Sequence, residues 1–146
     1  MKGNKAELER YSFLWSEARL LIAALALLLG GIPVLRAILP VAALAGLVNI
    51  VLTLAWIVSG IASGYLLYAW YASGMKLFGG KRAGDMIAFF VSVVSGLNLG
   101  VTGLIGTNPG MAIASGRLVF LVVGALYVAT AIYLWRRFKA SGEKIF

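Results

Sequence analysis

The sequence predicts an all-α integral membrane protein, with four transmembrane helices in an up-down bundle. Three observations predict it. Residues 40–73 hold no charged side chain, and about 20 mostly apolar residues suffice to cross a ~30 Å hydrocarbon core. Only 12% of the 146 residues are charged and mean hydropathy is +0.96, whereas soluble domains carry about 25% charged residues. The 13 Lys and Arg residues sit in short clusters beside the apolar runs, which fits the positive-inside rule better than a nucleic-acid-binding face. One membrane domain, 1–146, follows from these figures.

The first span is expected over 11–35. Residues 1–19 mix charges with Tyr11, Phe13 and Trp15, aromatic groups suited to a membrane interface. Glu17 and Arg19 are expected at the membrane edge, where their stems can snorkel. The apolar run that follows is short, so a continuous helix from about residue 6 to 30 is needed to cross. Gly30, Gly31 and Pro33 then turn the chain. A cleavable leader is not expected, because Glu7, Glu9 and Glu17 interrupt the basic start and no small-residue cleavage site follows.

The second span is expected over 40–73, with Pro40 at the first helical position and Gly74 closing the helix. Lys76, Lys81 and Arg82 lie in a glycine-rich loop. Asp85 is placed to cap the third span, 85–106, at the positive end of its dipole. Asn108 and Pro109 read as the start of a fourth span, 109–138, which would put Arg117 about two turns inside it. Arg136, Arg137, Lys139 and Lys144 close the chain.

Counting basic residues by side sets the orientation. With both termini cytoplasmic, eleven Lys and Arg residues fall inside and only Arg36 and Arg117 fall outside, a strong bias over short loops. A tandem repeat is a further option. Residues 72–78 (ASGMKLF) recur as 140–146 (ASGEKIF), a shift of 140 − 72 = 68. The same shift lays Glu17 over Asp85 and Asn49 over Arg117 without a gap, giving parallel helical hairpins 17–78 and 85–146.

Small residues recur every four positions. Ser59, Gly60, Ser63 and Gly64 in the second span, and Ser92, Gly96 and Gly100 in the third, permit the close backbone approach on which helix association in lipid depends. The glycines from Gly96 to Gly110 fit either tight packing or a broken helix facing a cavity, and packing is the favoured reading. Asn49, Thr53 and Asn98 are the deepest polar groups and are expected to bond between helices. Arg36 and Arg117, with Asn49 and Asn98, form the candidate polar or lipid site, Arg117 reaching for lipid phosphate.

The chain has no Cys and no His, which removes disulfides, thiol catalysis and the commonest metal ligand. No acid is expected mid-span, and no nucleophile can be paired with a base. A non-enzymatic protein without catalytic residues, metal or cofactor is therefore expected. Its expected role is a structural or accessory subunit of a membrane assembly or homo-oligomer, with lipid bilayer and other membrane subunits or itself as partners and no nucleic acid. A small channel or carrier for an uncharged or anionic solute is the alternative. An anionic-lipid-binding or virion-membrane protein comes third.

Overall fold

The computed structural model describes residues 2–146, and the fold is all-helical with no strand among the described residues. Among the described residues six α-helices follow one another: α1 (Lys2–Leu28), α2 (Val34–Ile38), α3 (Ala45–Ala72), α4 (Ala83–Ile105), α5 (Pro109–Ile113) and α6 (Arg117–Ala140). A single 3₁₀ turn, Ala42–Leu44, leads into α3. The helices α1, α3, α4 and α6 are long and apolar enough to cross a membrane. At 1.5 Å per residue even the shortest, α4 with 23 residues, is about 34 Å long.

Helix α1 is central. It packs against α3, α4 and α6, while α4 also packs against both α3 and α6; α3 and α6 do not meet. The closest seam joins α3 to α4. A methyl group built on Gly60 would lie 2.6 Å from the Cα of Gly100, and one built on Gly96 would run into Ser63. Ser59, Ser63 and Ser92 are buried on the same faces. Gly64 differs: although it lies one turn beyond Gly60, open space surrounds it.

Two expected helix starts move. Pro40 lies ahead of the helix, since the chain first makes the five-residue α2 after Pro33 and then a 3₁₀ turn. The fourth span begins at Arg117, not at Pro109. Asn108 does cap a helix, its side chain accepting from the Met111 N–H, but α5 ends at Ile113 and Gly116, at φ 138°, breaks the path. Arg117 is thus the exposed first residue of α6, not a charge two turns inside a span. Helix α4 is continuous through Gly96, Gly100 and Gly103.

The two seven-residue segments adopt one conformation. Ser73 and Ser141 cap α3 and α6, each followed by a left-handed glycine, Gly74 (φ 78°) and Gly142 (φ 69°). The Met75 N–H donates to the Trp70 carbonyl and the Glu143 N–H to that of Phe138, both at 3.0 Å, the two-bond helix ending in which glycine avoids the Cβ penalty. The ungapped overlay does not extend to the first helix of each hairpin. Glu17 lies in the middle of α1, but Asp85 lies in the first turn of α4. There the turn glycines Gly30 and Gly106 and the prolines Pro33 and Pro109 correspond at a shift of 76.

The hydrophobic core gathers at the end where both termini meet. Phe13, Leu66, Leu77, Phe78, Phe89, Val93, Leu134, Phe138 and Ile145 are all buried there. The Phe78 N–H donates to the Ile145 carbonyl at 2.7 Å, tying the 73–82 loop to the tail. Arg10 on α1 pairs with Glu143 at 2.9 Å.

Candidate functional site

A band of polar side chains crosses the helical core at mid-height. Trp15 sends its indole N–H to Ser59 Oγ of α3 at 3.1 Å, and Ser59 Oγ donates to the Ala55 carbonyl one turn back at 2.6 Å. Arg19 reaches the other way, to α4. Its Nη1 donates to Ser95 Oγ at 3.0 Å and its Nη2 to the Ser92 carbonyl at 2.9 Å. Ser59 and Ser95 stand near the middles of α3 and α4, so the band is remote from both helix ends.

Glu17 belongs to this band. It and Arg19 are each only 6% exposed, which overturns their expected place at the membrane edge and the expectation that no acid lies mid-span. The reason is the length of α1. Glu17 is followed by eleven helical residues up to Leu28, so it sits about 16 Å from that end. Helix α1 also packs against the other three long helices, and position 17 falls on its packed face with Phe13 and Ala24.

A second polar group locks α4 to α6 near the end where the termini meet. Asp85 is wholly buried. Arg137 grips it through Nε–Oδ1 at 2.7 Å and Nη2–Oδ2 at 2.9 Å, and the Tyr133 hydroxyl donates to Oδ1 at 2.9 Å. Two-pronged Arg–carboxylate pairing of this kind fixes orientation as well as charge. Asp85 therefore acts across helices and makes no side-chain cap; Arg82 holds the N-cap position. It does stand in the first turn of α4, where a negative charge suits the helix dipole.

The expected polar or lipid site at the far end is not one constellation. Arg36 Nη2 donates to Asn49 Oδ1 at 2.7 Å, tethering α2 to the top of α3. Asn98 instead holds α5, through Asn108 Oδ1 at 2.9 Å and the Gly110 N–H at 2.9 Å. Both asparagines thus bind loop helices and not other spans. Arg117 stands apart, on an open groove of about 420 Å³ with Leu27, Gly30 and Phe120. Arg36 and Asn49 line a smaller hollow of about 190 Å³. Among the described residues no three His, Cys, Asp or Glu side chains come together as a metal site.

Sequence reasoning missed the depth of Glu17 and Arg19 and the Asp85–Arg137–Tyr133 cluster. The first had a signal, because a helix starting near residue 6 already puts Glu17 near its middle. The second had none, since nothing in a pattern of one acid and several bases says which base approaches. Compared with known families, curated proteins and solved structures, the chain matches none of them.

Proposed function

We propose that this protein is a non-enzymatic multi-pass membrane protein, a structural or accessory subunit of a membrane assembly or of a homo-oligomer. In this reading the four long helices cross the bilayer as an up-down bundle with both termini cytoplasmic, and the halves are tandem parallel hairpins. The hairpins then need a gap of 76 − 68 = 8 residues, shared between the longer first far-end connection and the longer α3.

The observation that carries the proposal is the bareness of α3. Its most apolar window is 11% buried within the chain. Leu47, Ile50, Leu54, Val58 and Ile61 make a continuous exposed apolar stripe along it, at helical spacing. Lipid or another membrane helix covers such a surface. The test is native mass after gentle solubilisation, with cysteines introduced at Leu54 and Ile61 for crosslinking in native membranes. Copies or co-purifying chains trapped through α3 are expected. A lone monomer with no crosslinks would sink the proposal.

The carrier reading draws on the polar band at mid-height, the depth at which transporters hold their substrates. Against it stands the close Gly60–Gly100 approach, which leaves no room for a solute between α3 and α4. Flux through reconstituted vesicles that changes in an Arg19→Ala variant would favour it over the subunit reading.

A further inference from the structure

We infer that Glu17 is a proton-binding site inside the helical core, seated in the seam between α1 and α6. The seam is placed by its neighbours on the helix. Phe13, one turn before Glu17, stacks on Phe138 of α6 with ring centres 4.8 Å apart. Ala24, two turns after, lies against Gly124 of α6. Residues at these spacings share a face, so Glu17 points between the same two helices.

Both carboxylate oxygens of Glu17 lack a hydrogen-bond partner, and the side chain is 94% buried (6% exposed). Arg19 does not supply one. Residues two apart on a helix do not face each other, and Arg19 spends its two terminal nitrogens on Ser92 and Ser95 of α4. Of the groups on the packed helices, Asp85 of α4 is held by Arg137 and Tyr133 of α6, Tyr127 of α6 lies within electrostatic reach of Arg19, and Tyr65 of α3 within that of Glu9. Arg19 is the charge that bears on Glu17, and its Nε likewise lacks a partner.

A carboxylate so placed is costly, because no protein donor repays its lost hydration. A metal cation would need several more oxygens around it, and among the described residues no three His, Cys, Asp or Glu side chains gather there. A proton needs none: it binds one oxygen, cancels the charge and gives the group a donor that a neighbouring carbonyl can accept. It comes from water and returns to water, and each release places a negative charge in the α1–α6 seam. The proton site is independent of the subunit reading, which concerns the outer face of α3.

The test is infrared spectroscopy of the full chain in lipid vesicles at neutral pH. The protonated-carboxyl stretching band is expected in the native protein and in Glu143→Gln, and is expected to vanish in Glu17→Gln. A native-minus-Glu17→Gln difference containing only ionised-carboxylate bands overturns the inference. Should Glu17→Gln fail to fold, isotope-labelled glutamate in the native chain serves instead. A protonated band that shifts with the label supports the site, and its absence overturns it. Native mass is a separate measurement, so this result and the subunit result fail independently.

Discussion

The two ends of the molecule are built on different principles. Where the termini meet, the 73–82 loop and the tail bury Leu77, Phe78 and Ile145 beneath the helices, and Phe78 accepts a left-handed backbone (φ 49°) to do so. At the far end α2, the 3₁₀ turn and α5 bury no residue at all, and one or two side-chain hydrogen bonds hold each loop helix to the long helices. One end is a packed base that sets how the helices stand together. The other is a thin cover whose parts can be altered with little effect on the rest.

The sharpest way to break this comparison is to delete equivalent bulk at the two ends. Phe138→Ala, at 1% exposure, is expected to cost about 3–5 kcal/mol through the cavity it leaves. Ile113→Ala, at 88% exposure, is expected to stay within about 0.5 kcal/mol of the native protein. Denaturant titration in mixed micelles checks both, and similar losses would erase the distinction.

Overpacking the mid-height seam comes next. Gly100→Val is expected to cost about 1–3 kcal/mol, since its side chain must displace the backbone of α3 at Gly60. Gly64→Val is expected to be far milder, because space surrounds that glycine. Equal effects would mean that α3 and α4 do not cross at Gly60.

A smaller effect is expected from acid. The hydrogen bond from Lys139, then the positive charges of Lys139 and Arg10, hold the Glu143 carboxyl below its ordinary value. A lowered folded-state value means the contact contributes fully above the unfolded glutamate pKa of about 4.3 and is lost as pH falls through the folded one. Amide exchange in the tail should therefore quicken only in that acidic window. Glu143→Gln should exchange faster at neutral pH and lose the acid step.

The smallest effect belongs to the far end. Arg36→Ala removes an exposed hydrogen bond to Asn49 and is expected to cost at most about 1 kcal/mol, with faster exchange confined to 34–44. A global loss would show that the cover bears on the base.

The number of long apolar helices and their helical type were legible in the sequence because each depends on local composition. Spans 40–73 and 85–106 run close to α3 and α4, and Gly74 stands directly after the cap residue of α3 as the penalty-free left-handed residue. The spacing of Ser59, Gly60, Ser63, Gly96 and Gly100 likewise marked the faces that meet. Gly64 shared the pattern but not the contact, since spacing alone does not say where along a stripe two helices come closest. Only tertiary structure decided which surface each charge faces. Residue 17 is interior because it falls on the face of α1 that the other long helices cover, residue 85 is paired because Arg137 comes from 52 positions away, and residue 117 is exposed because α5 stops short. Composition tells a segment that it prefers oil, whereas depth and partnership are set by what the rest of the chain places beside it.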